Sequence, residues 1–165
     1  MLFGPRAVDL DPVDLESALL RGAVGEFTAE AAVLLLSNTG HWLPALAAAD
    51  LIHVETDDDD TAPPTGQVPG ISWAAIAWTG LEPALTDRRI KGSSVQLRIL
   101  RAAASIADSQ PVDLGYTASG LDRRNLQLLL AAISHAAGSH EHRATNSGGH
   151  RDDPLLPLVA WPARV

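Results

Sequence analysis

The sequence contains no cysteine, only one methionine and only one tyrosine in its 165 residues. Without cysteine, the chain has no disulfide bond, no thiolate ligand for zinc and no cysteine nucleophile. A chain of this length buries roughly two-thirds of the surface that its unfolded form exposes, so a hydrophobic core can stabilise it unaided. We therefore expect a single domain over residues 1–165.

Long hydrophobic segments are also absent. No stretch approaches the ~18 consecutive apolar residues of a membrane span. Residues 1–10 lack the apolar core of a secretory signal because Pro5, Arg6 and Asp9 interrupt them. The formal net charge of −8 disfavours nonspecific binding to DNA or to anionic lipid. We expect a cytoplasmic protein that does not bind membranes.

Alanine and leucine, which favour helices, are the most abundant residues of the chain. Capping residues mark several helix starts: Asp11 before Pro12, Ser93 or Ser94 in the middle of the chain, and Asp122 near its end. The spacing of apolar residues behind these caps predicts an all-α fold, a single-core bundle of about six helices. One of them is a short helix that begins at Ser72.

The longest predicted helix runs from about Leu121 to Ala137. Leu128 and Ala132 lie off its predicted core stripe, so the helix is apolar around most of its circumference and is expected at the centre of the bundle. The residues predicted to form the core stripe are Leu126, Leu129, Leu130, Ile133 and Ala137.

Three segments interrupt the helical pattern. Residues 55–70 (ETDDDDTAPPTGQVPG) predict an acidic, proline-rich loop that divides the chain into two halves, which we expect to share one core. Residues 139–151 are polar and rich in histidine, and they also predict a loop. Residues 152–165 are apolar but contain prolines, which predicts an extended C-terminal arm packed on the helical body or on a partner.

Catalytic motifs are missing from the chain. It has no nucleophile elbow, no phosphate-binding loop and no dinucleotide-binding loop. The acidic run Asp57–Asp60 does not fit an EF-hand, because Ala62 and Val68 stand where that loop needs glycine and glutamate. We therefore predict that the protein is not an enzyme and that it has no cofactor.

Histidine is the residue type most open to a metal-binding interpretation, since imidazole suits zinc and nickel. His140, His142 and His150 lie in the polar segment, with Glu141 among them. Their spacing lacks the helical pattern that places two ligands on one face, so we predict no metal site, although binding by these three remains an alternative. His135, inside the longest helix, is expected to be a hydrogen-bonded histidine of the interior or its boundary.

The four tryptophans stand out against two phenylalanines and one tyrosine. Tryptophan is enriched in protein interfaces, although most tryptophans pack in cores. Trp73 and Trp78 are predicted on the short helix that begins at Ser72, and Trp161 lies in the C-terminal arm. These three are our candidate contacts with a protein partner.

Basic residues concentrate in the second half of the chain. Residues 87–124 carry a net charge of +3, and the segment that follows residue 93 has a helix, a short element and a second helix. This layout is compatible with a helix-turn-helix over residues 93–137, in which the start of the second helix would read bases in the major groove. Its candidate contacts are Arg123, Arg124, Asn125 and Gln127. The basic residues of the segment are Arg88, Arg89, Lys91, Arg98, Arg101, Arg123 and Arg124.

The pieces LRILRAAASIA and GLDRRN, within residues 93–138, resemble small uncharacterised proteins of actinobacteria and their phages. The likeness covers about a quarter of the chain. More loosely, the same stretch is similar to the core of a winged helix-turn-helix, but the sequence predicts no β-hairpin wing after Gly138. The first resemblance implies a type of organism and no particular activity.

From these observations we expect a non-catalytic helical accessory or protein-interaction protein, of a kind related to phages or mobile elements. Its partner would be another protein or a second copy of the chain, and the contacts would lie on the tryptophan-bearing helix or the C-terminal arm. The alternative is a DNA-binding regulator that uses the basic helix pair.

Overall fold

The computed structural model describes residues 6–56, 71–145 and 151–164. The described residues are mostly helical, and no described helix has the length and apolar character to cross a membrane. The described residues also form two small antiparallel sheets of two strands each. The predicted helical character is confirmed, but the prediction of a purely all-α fold is wrong.

The described residues form seven α-helices, one more than the predicted six. The helices are α1 (Pro12–Gly22), α2 (Phe27–Asn38), α3 (Trp42–Ala48), α4 (Leu81–Thr86), α5 (Ser94–Asp108), α6 (Leu114–Ser119) and α7 (Arg123–Ala136). The strands are β1 (Ile52–Thr56), β2 (Ile71–Ile76), β3 (Arg143–Thr145) and β4 (Arg151–Pro154).

Contacts within the chain group it into two compact units. The first comprises Met1–Val24 and His41–Lys91, and the second comprises Gly25–Gly40 and Gly92–Val165. These units do not follow the predicted division at residues 55–70, because β1 and β2 belong to the same unit and α2 joins the C-terminal helices. Residues 57–70 of the predicted acidic loop lie outside the described residues, as does His150.

In the first unit, α1 packs against β2 and α3. Its start is as predicted, because Asp11 Oδ1 accepts a hydrogen bond from the Val13 N–H at 2.8 Å. At its other end the helix approaches the strand so closely that a Cβ atom on Gly22 would overlap the carbonyl oxygen of Ala74. Glycine at this position therefore permits the contact between the two backbones.

Strand β2 replaces the short helix predicted to begin at Ser72. It pairs antiparallel with β1, from Ile52 opposite Ile76 to Thr56 opposite Ile71. Trp73 is exposed and Ala74 is buried, the alternation typical of a strand. The partner strand lies on the far side of residues 57–70, so local spacing of apolar residues could not reveal the pairing.

The second unit is built on α2, which packs against both α5 and α7. Ser93 caps α5 in a capping box with Gln96, and Asp122 caps α7 by accepting from the Asn125 N–H at 2.9 Å, so both predicted caps are confirmed. The buried residues of the three helices include Ala31, Ala32, Leu35, Leu36, Ile99, Leu100, Ala103, Leu128, Ala131 and Ala132.

The polar segment 139–151 was predicted to be a loop, and this prediction is wrong for much of it. Ser139–Glu141 form a 3-10 helix, after Gly138 turns the chain with a φ of +71°. Strands β3 and β4 follow and pair antiparallel, so the expectation that no β-hairpin follows Gly138 is wrong. Residues 155–164, most of the predicted arm, contain no helix or strand.

Candidate functional site

Helix α7 turns a different face to the interior from the one predicted. Leu128, Ala131 and Ala132 are buried at 1% exposure or less, whereas Leu126, Leu130 and Ile133 are 36%, 45% and 45% exposed. The predicted core stripe is therefore wrong except at Leu129, which is buried. Leu128, Leu129 and the two alanines face the interior of the unit, and Leu126, Leu130 and Ile133 face outward.

The outward residues follow the spacing of a coiled-coil seam. The steps from Leu126 to Leu130, Ile133 and Ala137 are four, three and four residues, which is the alternation of heptad positions d and a. The position after α7, Ala137, is also exposed. Two turns or more of this helix therefore present the apolar edge that normally packs against a second helix.

The C-terminal arm adds further exposed leucines to the second unit. Leu155, Leu156 and Leu158 are 50%, 88% and 81% exposed. The arm is fastened to the end of α7 by its backbone, because the Val159 N–H donates to Ser134 Oγ at 3.1 Å. We call the α7 side chains Leu126, Leu130 and Ile133 the apolar surface.

A buried pair of serines holds the arm in place. Ser134 Oγ and Ser139 Oγ lie 2.6 Å apart, and both residues are buried. The Leu158 N–H donates to Ser139 Oγ at 3.4 Å, so two successive backbone amides of the arm bind the pair. No sequence signal marks these serines, because the two arm amides they bind are 19 and 25 residues away along the chain.

The three tryptophans predicted as interaction residues are not brought together by one element. Trp73 lies on β2, is 43% exposed, and donates from Nε1 to Glu55 Oε2 at 2.8 Å across the hairpin. Trp78 begins a 3-10 helix of the first unit. Trp161 lies in the arm of the second unit, partly buried, with its ring centroid 6.2 Å from that of His135.

The residues proposed to read DNA do lie at the start of α7, as predicted. Arg123 and Gln127 are exposed. Asn125 Nδ2 donates to Asp122 Oδ2 at 2.6 Å, and Arg124 Nη1 donates to the Ala163 carbonyl at 3.4 Å, so these two side chains already have partners within the unit.

The basic residues of segment 88–124 fall in both units. Arg88, Arg89 and Lys91 belong to the first unit, and the four later arginines belong to the second. In the second unit the guanidinium of Arg98 lies over the ring of Tyr116, with its Cζ 3.6 Å from the ring centroid, a cation–π contact. This arginine faces a protein aromatic ring rather than open solvent.

A histidine cluster forms where α2, α7 and the 3-10 helix meet. His135 Nε2 lies 3.0 Å from Glu30 Oε2, which confirms the prediction that His135 is a hydrogen-bonded histidine of the boundary. The ring of His140 stacks on that of His135 with centroids 4.2 Å apart. We call Glu30, His135 and His140 the histidine cluster.

Asp122 is the group at the start of α7 whose titration is shifted. The hydrogen bond from the Asn125 backbone N–H, followed by that from the Asn125 side chain, lowers the pKa of Asp122 below its ordinary value. The carboxylate is thus held in the charged form that caps the helix.

Comparison with known proteins adds no homologue. No protein-family model, no curated protein and no solved structure matches the chain. The function must therefore be argued from the apolar surface and the polar groups around it.

Proposed function

We propose that this protein is a non-catalytic protein-interaction protein, and that the apolar surface is its binding face. The observation that carries the proposal is the exposure of Leu126, Leu130 and Ile133 on a helix whose opposite face is fully packed. Aliphatic side chains aligned on one helix edge are the pattern that binds another helix. The setting we propose, an accessory protein of an actinobacterium or its phage, depends on the resemblance of residues 93–138 alone.

The occupant that we propose for this face is a second copy of the chain. A helix edge made of heptad positions d and a can pack against the same edge of a second copy, which is what a two-fold symmetric interface requires. Arg123 is exposed at the amino end of α7, and Glu141 is exposed just past the carboxyl end. Antiparallel pairing would bring each arginine toward the opposite glutamate and would oppose the helix dipoles, whereas parallel pairing would bring the two arginines together.

The apolar surface favours this function over the helix-turn-helix alternative. A recognition helix offers polar side chains to the edges of bases, but the exposed face of α7 beyond Gln127 consists of Leu130, Ile133 and Ala137. Asn125, the proposed reader of adenine, is hydrogen-bonded to Asp122. Burying these apolar side chains against another protein is more favourable than placing them against the polar edges of bases in a DNA groove.

The test is the substitution Leu130→Asp. Fully burying a leucine contributes about 1.5–3 kcal/mol, so the 45% of Leu130 that is exposed can contribute about 1 kcal/mol in each copy. Two copies lose about 2 kcal/mol, which is roughly a 30-fold weaker dimer, and burying two carboxylates weakens it further. We expect the wild type to sediment as a dimer and L130D as a monomer with unchanged helix content.

Leu114→Asp is the matched control. Leu114 is 64% exposed in the same unit but lies on α6, outside the apolar surface, so L114D should remain dimeric. A wild type that stays monomeric at every accessible concentration would contradict self-association. Tight, salt-sensitive binding of duplex DNA that Arg123→Ala abolishes would favour the regulator alternative instead.

A further inference from the structure

The histidine cluster brings together three side chains that suit a transition-metal ion. Glu30 lies in the first turn of α2, His135 in the last turn of α7, and His140 in the 3-10 helix Ser139–Glu141. One ligand atom from each lies within 4.8 Å of the others. Two imidazoles and a carboxylate form the donor set of many catalytic zinc sites and of non-haem iron sites.

A second observation points to a missing partner at this place. The Nδ1 atom of His140 is buried and has no hydrogen-bond partner among the described residues. A buried polar atom without a partner costs free energy, roughly 1–3 kcal/mol, so such atoms are uncommon in folded proteins. A metal ion bound to the histidine cluster would give the polar atoms of the His140 ring partners. One ring nitrogen would coordinate the ion, and the other would donate a hydrogen bond, as is usual for histidine ligands.

The surroundings restrict how the ligands can move. The ring of Phe27 contacts His140 edge-on, with centroids 4.8 Å apart, and a Cβ atom on Gly138 would press against Phe27 at 3.1 Å. The contact with Phe27 and the stacking on His135 hold the His140 ring beside the last turn of α7. His135 and Glu30 are 16% and 22% exposed, so an ion could enter from solvent and retain water.

We propose that Glu30, His135 and His140 form a binding site for one divalent transition-metal ion of the zinc class, with open positions for water. Tetrahedral zinc with bonds of about 2.0–2.2 Å holds its ligand atoms roughly 3.3 Å apart. Glu30 Oε2 and His135 Nε2 already lie 3.0 Å apart, so these two can bind one ion as they stand. The two imidazoles, however, stack with an angle of 18° between their planes, and an ion must lie in the plane of each ring. Binding therefore tilts the His140 ring away from His135.

The sequence predicts no metal site, and the transition-metal ligands of its alternative are His140, His142 and His150, so the proposed site shares only His140 with it. The proposed site is also independent of the proposed function, because self-association uses the outward face of α7 and not the histidine cluster. The carboxylate ligand lies about a hundred residues before the histidines, so no short motif could have indicated the site.

The experiment is titration of the untagged full chain with Zn²⁺, with binding followed by calorimetry. Co²⁺ then serves as a spectroscopic probe, because its visible absorption reports coordination directly. We expect one ion per chain. The affinity should fall in H135A and H140A by more than the roughly 10–100-fold that loss of an outer-shell partner causes.

Glu30→Gln keeps the shape and the hydrogen-bonding capacity of the side chain, so it remains a fair test if H135A fails to fold. E30Q should also weaken binding and change the Co²⁺ spectrum. The double variant H142A/H150A is the control and should bind as the wild type does.

Two outcomes would overturn the proposal. One is the absence of Zn²⁺ binding to folded wild-type protein. The other is binding that survives in H135A and E30Q but is lost in H142A/H150A, which would place the ion on the polar segment.

Quenching of Trp161 fluorescence by a bound ion provides a second readout. A histidine cluster that only stabilised the fold would not produce it. The ring of Trp161 lies 6.2 Å from that of His135, so Cu²⁺ in the histidine cluster should quench its fluorescence. The quenching should be lost in Trp161→Phe and in H140A. Equal quenching in wild type and W161F would show that Cu²⁺ binds elsewhere.

Discussion

Ser134→Ala should weaken the attachment of the C-terminal arm to α7. The substitution removes the acceptor of the Val159 N–H and the partner of the buried Ser139 hydroxyl. Each hydrogen bond contributes about 0.5–1.5 kcal/mol net, and a buried group left unsatisfied costs about 1–3 kcal/mol. The higher helix propensity of alanine offsets at most about 0.5 kcal/mol. We therefore expect the free energy of unfolding to fall by about 2 kcal/mol.

Urea denaturation measures this change, and hydrogen exchange of the peptide 155–164 shows where it acts. Exchange in the arm should accelerate in S134A, while exchange in the interior of α5 should change only with the global stability. Ser119→Ala is the matched control, because the Ser119 hydroxyl is exposed and donates only to the nearby Tyr116 carbonyl. A loss no larger in S134A than in S119A, or an arm that exchanges as slowly as in the wild type, would refute the reasoning.

Two further predictions concern backbone packing and pH. Gly22→Ala should destabilise the first unit by about 1–3 kcal/mol, because the new methyl group overlaps a β2 carbonyl. Gly115→Ala should instead stabilise its helix by up to ~1 kcal/mol, because its new methyl group meets nothing closer than 3.4 Å. Thermal melts of the two variants should therefore shift in opposite directions. Asp122→Ala should cost about 1 kcal/mol near neutral pH through loss of the helix cap. Because the pKa of Asp122 is lowered in the folded protein, the carboxylate stabilises the fold above the unfolded-state pKa, and this stabilisation is lost as the pH falls through the folded-state pKa. The difference in free energy of unfolding between wild type and D122A, measured in urea, should therefore shrink below about pH 4. A difference that grows toward acid pH would contradict the assignment.

The features that local sequence predicts well are helix starts. At Asp11, Ser93 and Asp122 a side-chain oxygen binds an amide two or three residues ahead, so the determinant and its effect lie within one turn. Hydrogen bonding of His135 was also predictable, since a histidine within an apolar helix needs a partner. The identity of that partner, Glu30, was not, because the contact depends on how α2 and α7 pack.

Features that depend on distant parts of the chain escaped prediction. The segment around Trp73 was assigned to a helix because nothing nearby shows that β1 is available to pair with it. The serine pair and the histidine cluster have the same origin, since each joins residues from separate elements. All of these features depend on contacts between residues far apart in the chain, and the spacing of apolar residues in a single sequence does not reveal such contacts.

The phase of α7 is the error with the most direct bearing on function. A helix that is apolar around most of its circumference offers two possible core faces. In α7, one face carries Leu126, Leu130 and Ile133, and the other carries Ala131 and Ala132, whose small side chains permit closer packing. In this unit the alanine face is inside: Ala131 and Ala132 have no exposed surface, which allows α2 and α5 to approach the backbone of α7. A helix needs only one apolar face for a monomeric core. On the other face, Leu126, Leu130 and Ile133 keep between a third and a half of their surface exposed. That exposed apolar area contributes nothing to folding a single copy, and the proposed interface would bury it.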